Sequence, residues 1–78
     1  MDLSLQLSAG NIPQEMDSWA IADWFHKLKL PVPIITKVVS GSKERNFAIL
    51  TFHDQDDRDW VREADIHWPD GAVALIRY

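Results

Sequence analysis

The absence of cysteine is the feature that most constrains how this chain folds. Its 78 residues contain no Cys, so neither a disulfide nor a thiolate metal site can hold the chain together. A chain of this length has room for one small domain with a single core, which we place at residues 1–78. Apolar residues make up 46% of the sequence and include four Trp, which favours a packed core over disorder.

The chain opens with a strand-like pattern. Apolar and polar residues alternate strictly, which is typical of a strand that buries one face. The predicted core-facing residues of this strand are Leu3, Leu5, Leu7 and Ala9. Residues 10–13, Gly-Asn-Ile-Pro, are turn formers and are predicted to end the strand.

Two further segments have the spacing of amphipathic helices. The first begins after a capping residue, Asp17 or Ser18, and cannot continue through Pro31. Its apolar stripe consists of Ile21, Trp24, Phe25 and Leu28. The second helix is capped by Asp54 and runs to about residue 64. Its predicted inner stripe consists of Trp60, Val61 and Ala64.

Three more strands complete the predicted order. Residues 34–39 are rich in β-branched side chains, and residues 47–52 form an apolar run of strand length. Residues 72–78 form the last strand, and residues 66–68 pair with it as a short hairpin. The order β-α-β-β-α-β predicts an α+β fold of the ferredoxin-like type. In this sandwich, both helices cover one face of a four-stranded antiparallel sheet.

Two of the predicted strands carry a resemblance to a known family. Residues 7–13 read Leu-Ser-Ala-Gly-Asn-Ile-Pro, and residues 45–52 read Arg-Asn-Phe-Ala-Ile-Leu-Thr-Phe. Both are similar to the strand motifs of the RNA recognition motif family, and residues 21–28 and 54–57 follow its helix patterns. The resemblance spans essentially the whole chain. It implies a non-catalytic domain that binds single-stranded RNA on the open face of its sheet.

The same resemblance implies that RNA binding is weak. The family stacks nucleobases on three aromatic side chains, but here Ser8 and Ile49 occupy two of those positions. Only Phe47 keeps its ring. Each stacked base contributes roughly 1–3 kcal/mol, so the two replacements remove on the order of 2–6 kcal/mol of the usual affinity.

Polar residues near these positions are the other expected RNA contacts. By the same resemblance, Arg45 and Lys43 are expected to contact phosphate or a base edge. Gln6, Ser8 and Asn11 are expected to hydrogen-bond the bases.

The charge of the chain is unevenly distributed. The formal net charge is −4, which speaks against a strong non-specific polyanion binder. However, residues 53–70 carry seven acids against two Arg, and residues 26–52 carry five Lys and Arg against one Glu. The predicted fold places the acids on the second helix, behind the sheet, and leaves the open face mildly basic.

Four Trp in so short a chain favour a second hypothesis, a protein-interaction module on the same fold. Trp68, Trp60 and Trp19 are the candidate anchors for a protein partner. Trp68 is the best of them because it lies in a loop beside Pro69, although a Trp there more often closes the edge of a core. Self-association is a further alternative. A known subclass of the RNA recognition motif family uses an Arg-x-Phe motif of its own to bind a Trp-containing peptide. Residues 66–71 of this chain lack that motif.

The sequence gives no support to metal, cofactor or membrane functions. His26, His53 and His67 have no metal-ligand spacing, and no glycine-rich phosphate loop is present. An acylphosphatase-like hydrolase would need an Arg in residues 10–14, which have none. No apolar run reaches the roughly 20 residues of a membrane span, and no signal peptide is visible. We therefore expect an intracellular protein, nuclear or cytoplasmic, that needs no cofactor.

Overall fold

The described part of the chain folds as an α+β structure with one sheet and two helices. The computed structural model describes residues 5–41 and 45–78. Its elements are β1 (Gln6–Pro13), α1 (Ser18–Lys27), β2 (Ile35–Val39), β3 (Arg45–Thr51), α2 (Gln55–Glu63) and β4 (Leu75–Arg77). The strands form an antiparallel sheet in the order β2-β3-β1-β4, so the two longest strands are central. The predicted order of elements is confirmed, and the arrangement is compatible with a ferredoxin-like fold.

The core lies on one face of the sheet. Leu7 pairs with Leu50 and Ala9 pairs with Ala48, and all four side chains are buried. For Leu7 and Ala9 this is what the alternation predicted. Ile21 and Phe25 of α1 and Val61 of α2 belong to the same buried cluster. Both helices therefore cover this face, and no described helix covers the opposite face of the sheet.

Strand β1 is displaced along the sequence from its predicted position. The predicted turn at residues 10–13 is wrong, because β1 continues to Pro13 through an irregularity between Ala9 and Ile12. Asn11 takes a positive φ of 64° there, a conformation that Asn tolerates better than most residues. The residues that looked like a turn thus form a bulge, and Ile12 returns to the core. The predicted strand residue Leu3 lies outside the described residues.

Helix α1 begins and ends close to its predicted limits. The Asp17 carboxylate accepts a hydrogen bond from the backbone N–H of Ala20 at 2.8 Å, so Asp17 is the N-cap. The helix ends at Lys27, and Lys29, two residues before Pro31, has a positive φ of 60° that prevents its continuation. Leu28 is the C-cap and is exposed, so the predicted apolar stripe stops at Phe25.

Helix α2 buries a different stripe from the predicted one. Asp54 caps it through the backbone N–H of Asp57, as expected, and Val61 is buried. The inner position predicted for Trp60 is wrong, because this side chain is 58% exposed. Arg58, three residues before Val61 on the same face, is 7% exposed instead. Its stem is buried, and its guanidinium donates to Asp59 and lies 4.9 Å from the centre of the Tyr78 ring.

The segment between α2 and β4 closes the edge of the core. Trp68 is 1% exposed, and its ring centre lies 6.3 Å from that of Phe25. The predicted hairpin is confirmed by a bridge between His67 and Val73 and by a hydrogen bond from Trp68 N–H to the Ala72 carbonyl. Regular pairing with β1 is confined to Leu75–Arg77, which is shorter than the predicted last strand.

Candidate functional site

The candidate site is the sheet face opposite the helices, which we call the open face. The residue pairing places ten side chains there: Gln6, Ser8, Ile35, Lys37, Val39, Phe47, Ile49, Thr51, Leu75 and Arg77. None of the ten is buried, and none is acidic. The open face is therefore a mixed apolar and cationic surface that water can reach.

One row of residues runs across all four strands of the open face. Lys37 pairs with Ile49, Ile49 with Ser8, and Ser8 with Arg77. Adjacent strands lie about 4.8 Å apart, so roughly 14 Å of sheet separates the backbones at the two ends of this row. A cation at each end and small or apolar side chains between them leave room for a flat anionic ligand.

An aromatic ring lies beside this row. Phe47 pairs with Val39 on the neighbouring strand and is 38% exposed, so part of its ring faces solvent. A ring in this setting can stack on a nucleobase or pack against an apolar side chain. Ser8 and Ile49 lie on the same face but supply no second ring.

Two of the predicted RNA contacts have internal partners instead. Arg45 donates from Nε to the Asn11 side-chain oxygen at 3.1 Å and from a terminal nitrogen to the Asn11 carbonyl at 2.6 Å. Its other terminal nitrogen contacts Asp70 at 2.8 Å. The Asn11 amide nitrogen donates to the Val73 carbonyl at 2.9 Å. Both side chains therefore hold the bulge of β1 to β3 and to the turn before β4.

The electrostatics of this cluster agree with its geometry. The hydrogen bond from Arg45 lowers the pKa of Asp70 below its ordinary value, and the backbone N–H of Ala72 adds to the effect. The carboxylate is thus held in its charged form beside the guanidinium. Since Arg45 already has an anionic partner, a phosphate would have to displace Asp70 to bind it.

Of the other predicted RNA contacts, Gln6, Ser8 and Ile49 lie half-buried on the open face. Lys43 lies outside the described residues. Sequence reasoning did not assign Lys37 or Arg77 to the site. The alternation within β2 and β4 was the available signal, because it places both on the face of Phe47 once the strand register is fixed.

The structure separates the Trp residues into two groups. Trp68 is buried in the core, so it is not available as an anchor for a partner. Trp24 is half-buried and donates its indole N–H to the His67 carbonyl at 2.9 Å. Trp19, at 78% exposure, and Trp60 are the two that protrude, the first from α1 and the second from α2.

Within residues 5–41 and 45–78, no three His, Asp or Glu side chains gather as metal ligands would. In the same part of the chain, neither helix has the length and apolar character needed to cross a bilayer.

No protein-family model matches this sequence, and no curated protein matches it either.

Proposed function

We propose that this protein is a divergent domain of the RNA recognition motif type that binds single-stranded RNA weakly through its open face. Phe47 stacks one base, and Lys37 and Arg77 contact phosphates on either side of it. The observation that supports this most directly is the cationic row beside an exposed ring, on a face whose ten described side chains include no acid.

The weakness of the binding follows from the number of contacts. A single base stacked on Phe47 contributes roughly 1–3 kcal/mol. Two phosphate contacts give a salt dependence of log K on log salt of about −1.4, from about −0.7 for each phosphate on a single strand. Both values are small beside those of tight RNA-binding domains, so the affinity falls quickly as the salt concentration rises.

Charge on the opposite side of the molecule favours the same orientation. Helix α2 carries Asp56, Asp57, Asp59 and Glu63, and it lies on the covered face of the sheet. These acids repel a phosphate backbone, whereas Lys37 and Arg77 attract it. RNA is therefore directed to the open face even though the net charge of the chain is −4.

A titration with a short unstructured RNA, followed by amide NMR, tests this proposal. We expect the amide shifts of Ser8, Phe47, Ile49 and Arg77 to move together. F47A should weaken binding about 5- to 150-fold, the equivalent of one lost stack. The matched control is W60A, which removes an exposed aromatic from α2 and should leave the affinity unchanged. Absence of shifts on the open face at millimolar RNA would refute the proposal.

A salt titration tests the role of the two cations separately from the role of the ring. K37Q and R77Q should each reduce the salt slope by about 0.7 while leaving the fold intact, since both side chains are exposed. F47A should lower the affinity without changing the slope. A wild-type slope near zero would show that neither cation contacts phosphate.

Self-association is the second candidate function, and the apolar content of the open face favours it. Ile35 and Leu75 are exposed there in addition to Phe47. Two copies could bury these side chains against each other, although Lys37 and Arg77 would then face a like-charged surface. Sedimentation from micromolar to millimolar concentration decides the matter, because a monomer throughout excludes this candidate.

A further inference from the structure

The outer edge of β2 has no neighbour in the described part of the chain. Ile35–Val39 pairs with β3 on one side, and no described strand lies on its other side. Alternate backbone N–H and C=O groups of β2 therefore point away from the sheet. An edge of this kind can accept an added strand, which gains main-chain hydrogen bonds along its whole length.

An uncharged groove with several apolar residues in its lining lies directly beside this edge. It runs between α1 and β2 and is lined by Ser18, Trp19, Ala22, Pro33, Ile34 and Thr36. Trp19 and Ile34 are among the most exposed large apolar side chains of the molecule. None of the described residues that line the groove is charged. A residue on the helix side of an added strand could therefore pack against the apolar side chains of Trp19 and Ile34.

Lys37 is the charged residue of β2, and its charge affects which residues are favoured on an added strand. It lies at the centre of β2 on the open face, between Ile35 and Val39, and is exposed. None of the ion pairs among the described residues includes it. Directly opposite charges stabilise neighbouring strands and like charges destabilise them, so an added strand is favoured when it places an acid opposite Lys37.

The same position argues against a second copy of this chain as the occupant. If two β2 strands paired antiparallel over their full length, residue 35 of one would face residue 39 of the other. Lys37 would then lie opposite Lys37 of the second copy. A lysine in this place is a common means by which natural proteins prevent edge-to-edge association, so the charge points to a different, acidic partner.

We propose that the outer edge of β2 binds an extended acidic segment of a partner protein as an additional antiparallel strand. The segment carries an acidic residue opposite Lys37. It carries apolar residues opposite Val39 and Ile35. Opposite Thr36 it carries an apolar residue that packs into the Trp19 groove. The position opposite Val38 is unrestricted. Read from its N-terminus, the segment is apolar, any, acidic, apolar, apolar.

Charge reversal on both partners tests the proposal. The probe is a blocked peptide with Val-Thr-Glu-Leu-Val at its centre, and its counterpart has Lys in place of Glu. The acidic peptide should bind the wild type and shift the amides of β2. K37E should weaken that binding roughly 2- to 30-fold and bind the Lys peptide more tightly than the wild type does. Circular dichroism of K37E confirms that the variant is folded.

A second pair of variants separates the groove from the open face. W19A should weaken binding of the acidic peptide roughly tenfold or more, because an exposed Trp in a contact of this kind is a frequent hot spot. It should leave RNA binding unchanged. F47A should do the reverse, and W60A should affect neither ligand.

Three results would overturn the proposal. The first is an absence of β2 amide shifts at millimolar acidic peptide. The second is equal binding of the Glu and Lys peptides by the wild type, which would show that Lys37 does not select an acid. The third is movement of the β2 amides with protein concentration alone, which would assign the edge to a second copy of the chain.

Discussion

The indole N–H of Trp68 donates a hydrogen bond of 3.0 Å to the carbonyl oxygen of Gly10, across 58 positions of sequence. Its ring is buried and packs near Phe25 of α1. One side chain therefore joins the segment after α2 to the bulged end of β1 and to the first helix. Because the chain has no disulfide, contacts of this kind carry the stability that covalent links would otherwise supply.

Replacing Trp68 should be costly even when the replacement is aromatic. W68F removes the indole N–H, leaves the Gly10 carbonyl without this donor and opens space in the core. We expect a loss of about 1–3 kcal/mol in the free energy of unfolding, measured by urea denaturation followed by circular dichroism. W60F is the matched control, because Trp60 is exposed, and it should change the value by less than about 0.5 kcal/mol. Equal effects of the two variants would contradict the burial of Trp68.

Removing the Arg45 guanidinium should raise the pKa of Asp70 toward its ordinary value. In the folded protein that pKa is lowered chiefly by Arg45, so the pair stabilises the fold above the ordinary pKa of an Asp. This contribution is lost as the pH falls through the lowered pKa. In R45M we therefore expect a higher Asp70 pKa and a smaller loss of stability on acidification. NMR titration of the carboxylates measures it directly.

Asp54 provides an internal reference for the same titration. Its pKa is lowered mainly by the backbone N–H of Asp57, with a smaller effect of His53, and Arg45 is not among the causes. R45M should leave the pKa of Asp54 unchanged. A parallel rise at both residues would indicate a general change of fold instead of the loss of one ion pair.

The capping of α1 by Asp17 should be measurable in stability. D17A removes the acceptor for the Ala20 N–H and should cost about 0.5–2 kcal/mol of unfolding free energy. D23A is a suitable comparison, since Asp23 makes only an exposed ion pair with Lys27 on the same helix. It should change stability by less than about 0.5 kcal/mol. Thermal unfolding of both variants in one buffer distinguishes the cap from the loss of a charge.

A side chain at Gly71 should be opposed by the backbone alone. Gly71 has a φ of +92°, and no atom lies within 4 Å of the place that a Cβ would take. G71A should therefore cost about 1 kcal/mol or more through backbone strain without a steric clash. G71N should cost less, because Asn tolerates positive φ better than Ala does. If both variants were as stable as the wild type, this turn would not require a glycine.

The alternation of the central strands could be predicted because burial depends on it directly. Leu7 and Ala9 follow a period of two, and both are buried as predicted. The helix caps Asp17 and Asp54 were predicted for a similar reason, since their role depends on residue type and local position. What the sequence could not decide was the use of Gly10 and Asn11, because the same residue types serve a turn and a bulge.

The errors at the site have a common physical cause. By residue type alone, Arg58 is expected on the surface and Trp60 in the core. The rotation of α2 about its axis instead turns Arg58 toward the core. There its guanidinium contacts Asp59 and the ring of Tyr78. Arg45 likewise looks free for phosphate until the positions of Asn11 and Asp70 are known. A long cationic side chain can pair with a residue that is distant in sequence. Only the folded structure shows which residue that is.

The shortness of β4 has a consequence for how the open face works. Three residues hold this strand to β1, so its amides should exchange with solvent sooner than those of the central strands β1 and β3. Arg77, one of the two cations of the row, belongs to this short strand. A ligand that binds Arg77 must offset the entropy that β4 loses when it is ordered. Once bound, the ligand should slow the local opening of this strand. Binding of a ligand to the open face should therefore slow hydrogen exchange of the β4 amides, which we expect to be the least protected of the sheet when no ligand is bound.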